Sequence, residues 1–145
     1  MMYNDYETML TRNLEAMPTQ QLHGVPRSIM ANRISNVFDW RGPSMVVDTA
    51  CSSSLIALHL AIQALREGTS RVALACGSNL LRGPDAHTSE SEPKLLSADS
   101  VSQMLDKKAN GYARGDGVVA VVLKTLSAAI EDGNDIESFY RECCG

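Results

Sequence analysis

Ser44 to Leu60 reads SMVVDTACSSSLIALHL, and the fold turns on how this run divides. Ser44 to Thr49 (SMVVDT) is short and β-prone, and Ala50-Cys51-Ser52-Ser53-Ser54 follows it with no loop between. From about Ser53 to Glu67 the chain is apolar almost all round, with Leu55, Ile56, Leu58, Leu60, Ala61, Ile62, Ala64 and Leu65. That pattern predicts strand, sharp turn, then a helix buried inside a layered domain rather than lying on its surface, with Gly68 ending it.

Working outward, Arg71 to Cys76 (RVALAC) reads as a buried strand closed by Gly77-Ser78-Asn79, and Gly117 to Leu123 (GVVAVVL) as another. Thr125 to Asp132 is a last short helix. Upstream, residues 5 to 16 can form a short helix, and Ile29, Met30, Ile34, Val37 and Phe38 mark a second one after Pro26, stopped at Asp39-Trp40-Arg41-Gly42-Pro43. Between Arg82 and Lys108 no period persists, which predicts a long irregular segment of the kind that often lines a site. Strands alternating with helices indicate α/β layers with helices covering the sheet.

Composition bounds the function. The chain has 145 residues, 44% hydrophobic and 21% charged, enough for one globular domain and small for an enzyme built on a large mixed sheet. Its formal net charge of −4 supplies no basic stripe for phosphates or anionic lipid, so neither nucleic acid nor membrane is an expected partner. Cys51, Cys76, Cys143 and Cys144 lack both CxxC pairs and the spacing of a secreted disulfide framework. With no signal-like start and no apolar run of membrane-spanning length, a cytoplasmic location is expected.

Cys51 is the candidate nucleophile. Only a thiolate attacks an acyl carbon, and an ordinary thiol, with a pKa of about 8.5, is mostly protonated at neutral pH. At the start of a long helix Cys51 would face the positive end of the macrodipole and the free N–H groups of the first turn, both of which favour the thiolate. The turn would lift the side chain out of the sheet and aim a backbone N–H at a bound carbonyl oxygen. The competing reading is a buried structural cysteine. Ser52, Ser53 and Ser54 are expected to cap the exposed N–H groups, and Asp48 to tie the loop to backbone amides. His59 lies eight residues beyond Cys51 on the same helix, about 12 Å along its axis and out of reach. His23 and His87 fall in irregular segments and read as solvated loop residues. No spacing resembles a metal site. Asn110 to Gly117 (NGYARGDG) is glycine-dense, either a tight turn into the following strand or a place of close approach by substrate or another backbone.

Taken together, SIMANRISNVFDWRG (Ser28 to Gly42), VDTACSSSLIALHL (Val47 to Leu60), the GxN turn at Gly77 to Asn79, and ANGYARGDG followed by VVAVVLK closely resemble the ketosynthase domain of type I polyketide synthases, the fungal reducing type above all. DTACSSSL is the most specific of these signatures. The resemblance implies membership of the β-ketoacyl synthase family and a thiolase-like layered α/β/α fold, of which residues 1–145 would be roughly the nucleophile-bearing half, truncated at both ends. It implies an acyltransferase that takes an acyl group onto Cys51 from the phosphopantetheine arm of an acyl carrier protein, with no directly bound cofactor. Decarboxylative Claisen condensation follows in that family, and the complete protein is expected to be a homodimer.

The chain departs from the family's pattern in three respects. The HGTGT-like and GHxEGAAG-like motifs that hold the family's two catalytic histidines are not in this sequence, and none of His23, His59 or His87 stands at a matching position. Where the family has an LSPDGRCYTFD-like run, residues 96–106 carry Ser100 in place of glycine and Leu105 in place of phenylalanine. After Ile136 the expected strand and GVNQDG-like loop are replaced by a short tail ending Cys143-Cys144-Gly145, as in an internal piece of a gene or a degenerate one. The alternatives are a non-catalytic remnant or dimerisation module of a polyketide synthase, and a thioester hydrolase using Cys51 with His23 or His87.

Overall fold

The computed structural model describes residues 4–13, 15 and 17–141. Cys143 and Cys144 lie outside them, and the helix expected over residues 5 to 16 ends earlier, at Thr11. The elements run α1 (Asp5–Thr11), α2 (Gln21–Gly24), α3 (Ile29–Val37), α4 (Ser53–Arg66), β1 (Val72–Asn79), α5 (Asp85–Ser91), β2 (Gly117–Lys124) and α6 (Leu126–Glu131). Asn4 caps α1, its side chain accepting the Glu7 N–H at 3.3 Å. At the end of α3, Asp39 takes a left-handed φ of 51°, and the Trp40 N–H returns to the Ser35 carbonyl at 2.8 Å. The Phe38 and Trp40 rings then stack at 5.0 Å.

β1 and β2 form a two-stranded antiparallel sheet, with Val72 opposite Lys124 and Asn79 opposite Gly117. α4 packs on β1 and, to a lesser extent, on β2. Gly77 makes the contact close, because a Cβ there would stand 3.0 Å from the Ser54 hydroxyl. The start of α4 therefore lies at the end of the sheet where β1 finishes and β2 begins, and Cys51 lies there with it. At the opposite end Lys124 pairs with Asp132, and Arg71 meets the same carboxylate at 2.6 Å. Lys124 first, then Arg71, holds the Asp132 carboxyl below the ordinary carboxylate range.

Several expectations are corrected. Residues 44–48 form no strand: an isolated bridge between Thr49 and Cys51 is the only sheet-like pairing there, since no described neighbour offers that run a ladder. α4 is not buried all round. Its buried residues are Ser53 and Leu65, and Leu55 is 63% exposed, because its sheet lies on one side only. β2, expected to be buried, leaves Val118 68% and Val122 70% exposed for the same reason. Gly77, Ser78 and Asn79 continue β1 instead of closing it. The segment between Arg82 and Lys108 contains a helix, α5, that has no apolar period to betray it.

Candidate functional site

Cys51 is exposed and sits one residue ahead of Ser52, the N-cap residue of the 14-residue α4. The competing reading of Cys51 expected it to be buried, and it is not. The turn comes from Ala50, whose φ of 56° is left-handed, a conformation that costs a residue with a Cβ about 1–2 kcal/mol. Neighbouring side chains hold it. The Asp48 carboxylate accepts the Ala50 N–H at 3.2 Å. Ser53 Oγ donates to the Ala50 carbonyl at 2.6 Å and accepts the Thr49 N–H at 2.9 Å, and Ser52 Oγ donates to the Thr49 carbonyl at 2.8 Å. Ser52 makes no side-chain hydrogen bond to a helix N–H. Ser52 and Ser53 thus staple the turn rather than capping the helix as expected, because their hydroxyls reach back to the carbonyls three residues earlier.

Asp48 does tie the loop to a backbone amide, and it does more: its second oxygen accepts from Arg27 Nη1 at 2.9 Å.

The glycine-dense segment meets this end of the sheet. Asn79 Nδ2 donates to the Gly115 carbonyl at 2.7 Å, and Asp116 accepts the Leu81 N–H at 2.6 Å. Gly111 answers the choice between tight turn and close approach. With φ of 133°, it lies so near another backbone that a Cβ would fall 2.6 Å from the Leu95 oxygen and the Ser97 nitrogen. Leu96 and Tyr112 form a parallel bridge there, with Tyr112 N–H to Leu95 O at 3.1 Å and Ser97 N–H to Tyr112 O at 3.0 Å.

The Tyr112 hydroxyl donates to Glu90 Oε2 at 2.6 Å, and Arg114 Nη1 lies 2.5 Å from Glu90 Oε1 in a nearly buried ion pair. The hydrogen bond to Glu90, then burial and the Glu90 charge, push the Tyr112 phenol up against the opposing charge of Arg114. Sequence reading missed Glu90 and Arg27. Glu90 sits in the aperiodic segment and Arg27 in a loop, and no local pattern links either residue to its partner.

His23, His59 and His87 are all exposed and belong to three different helices, α2, α4 and α5. A groove of about 520 Å³ is lined by His87, Ser91, Lys94, Leu96, Ser97 and Asn110 among others, and Cys51 is not in its wall. Among the described residues no helix is long and apolar enough to cross a membrane.

Residues 1–129 match the family described as "Beta-ketoacyl synthase, N-terminal domain". The chain belongs to the β-ketoacyl synthase family. It is 63% identical to the highly reducing polyketide synthase calA of Penicillium decumbens over 98% of its own length. It is 54% identical to the polyketide synthase component of compactin nonaketide synthase of Penicillium citrinum, again over 98%. Each match spans 5% of the relative. Among solved structures, the ketosynthase from module 6 of the bacillaene synthase of Bacillus subtilis 168 superposes with a TM-score of 0.81 at 37% identity, covering 94% of this chain and 22% of that one. The likeness gives this β-ketoacyl synthase chain a thiolase-like α/β fold, in part.

Proposed function

We propose that this chain is the nucleophile-bearing part of a polyketide ketosynthase and that Cys51 is its acyl acceptor. The observation that supports this most is the exposed Cys51 on a left-handed turn immediately ahead of α4, inside a sequence that matches the family. The Cys51 thiolate attacks the thioester carbonyl of an acyl group on the phosphopantetheine arm of an acyl carrier protein. The tetrahedral adduct collapses, the carbon–sulfur bond to pantetheine breaks, the departing thiolate takes up from solvent the proton that Cys51 had released, and the acyl group stays on Cys51. In the complete protein, a homodimer on this reading, a malonyl-type extender loses carbon dioxide. Its carbanion attacks the Cys51 thioester, and the thiolate is released.

Stabilising that carbanion falls to groups other than His23, His59 and His87, which stand at no matching position. The 145-residue chain, given the hexanoyl thioester of N-acetylcysteamine, is therefore expected to gain one hexanoyl mass at Cys51. It is not expected to condense that group with a malonyl thioester. Cys51→Ala abolishes the mass gain, and a gain retained in that variant would overturn the assignment. A second reading, a non-catalytic dimerisation module, draws on the exposed apolar side chains of β2. It predicts no acyl gain at all, so the same measurement separates the two.

A further inference from the structure

We infer that Asp48 is a positioning residue for Cys51, and that Arg27 is the anchor through which it acts; this rests on the reading of Cys51 as acyl acceptor. The serine staples are local to the turn: among the described residues the Ser52 and Ser53 hydroxyls bond to Thr49 and Ala50, which fixes its shape but not its place in the molecule. Asp48 spans the two tasks with one carboxylate. Oδ1 accepts the N–H of Ala50, the residue whose left-handed backbone turns the chain into Cys51. Oδ2 accepts from Arg27 Nη1 at 2.9 Å, on the segment just ahead of α3 and 21 positions away in sequence. Both side chains of the pair are about one-third exposed, 37% each, so the pair lies at the surface boundary rather than free in water.

A charge-assisted bond between rigid partners constrains direction as well as distance. Here the direction constrained is that of the Ala50 peptide, and through it the backbone from which the exposed Cys51 side chain leaves, just ahead of α4. Loss of the carboxylate would leave a strained residue without an acceptor for its N–H, and the backbone that carries Cys51 would sample other orientations.

Iodoacetamide alkylation, in which the thiolate displaces iodide, reads this directly, because Cys76 on β1 is also exposed and serves as a reference within the same molecule. The ratio of Cys51 to Cys76 rates is measured by peptide mass spectrometry from pH 5 to 9, beside hexanoyl transfer to Cys51. Asp48→Ala is expected to lower the ratio about tenfold across that range. Asp48→Asn keeps an acceptor for Ala50 and Arg27→Gln keeps the carboxylate, so each should lower the ratio about threefold. Their combination should be no worse than either alone, and Arg27→Lys should restore most of it.

An unchanged ratio in Asp48→Ala would overturn the inference, as would a parallel change at both cysteines, which marks general loosening. Cys51 that takes no hexanoyl group and reacts no faster than Cys76 in the unsubstituted chain would instead sink the acyl-acceptor reading itself.

Discussion

Ser100 and Leu105 share a property with Ala50: each carries a side chain on a left-handed backbone, with φ of 53° and 62°. Ser97 Oγ holds the turn on either side of Ser100, accepting the Asp99 and Val101 N–H groups at 3.2 and 3.5 Å, and the Ser100 N–H reaches the Ser97 carbonyl at 3.2 Å. These bonds keep Ser100 in its left-handed conformation without removing the cost of its Cβ there. The family pattern has glycine at this position, the residue for which such a φ costs nothing. Ser100→Gly is therefore expected to stabilise the chain by about 0.5–1 kcal/mol, the relief of about 1–2 kcal/mol less the extra freedom of glycine when unfolded. A higher urea midpoint at unchanged slope would show it, and a lower midpoint would show that the turn needs the serine. The departure from the family pattern was legible in the sequence; its cost needed the backbone angle.

Among the elements, legibility followed the source of the signal. α3, α4, α6, β1 and β2 were read from apolar periodicity or continuity because each has a face, or an entire run, suited to burial. α5 has neither, and it is placed by Glu90 reaching Tyr112 and Arg114, contacts between residues more than twenty positions apart. Residues 44–48 failed in the opposite sense: β-propensity without a neighbouring strand makes no strand. The glycine run before β2 announced an unusual backbone but not which glycine was essential. Gly111→Ala is expected to cost about 3 kcal/mol, since its Cβ would collide with backbone atoms of Leu95, Leu96 and Ser97 and part the bridge to Tyr112. Gly115→Ala, which meets nothing within 4 Å, should stay within about 0.5 kcal/mol. Thermal melts of the two variants side by side distinguish an essential glycine from a general loop effect.

At the scale of the whole molecule, α1 is fastened to the exit of β1 by one carboxylate. Asp5 accepts the N–H groups of Arg82 and Gly83 at 2.8 and 2.9 Å, and these bonds, more than the Arg114 charge, hold its carboxyl below the ordinary carboxylate range. A lowered folded value means the stabilisation is fully present above the unfolded pKa of about 4 and disappears as pH falls from there through the folded value. Melting temperature followed from pH 6 to pH 2 should drop more steeply for the natural chain than for Asp5→Asn, which has no proton to gain; parallel curves would show that the fastening carries no linkage. The antiparallel pairing of β1 with β2 has a different kind of consequence. Its nearest partners, Asn79 and Gly117, are separated by about forty residues, and closing a loop of that length costs about 3 kcal/mol of chain entropy before the first rung forms. During synthesis α4 and β1 leave the ribosome together, whereas β2 arrives only after the whole intervening segment. For those seconds the bonding edge of β1 is an open template, and what the emerging chain meets first decides whether β2 or a foreign strand completes the ladder.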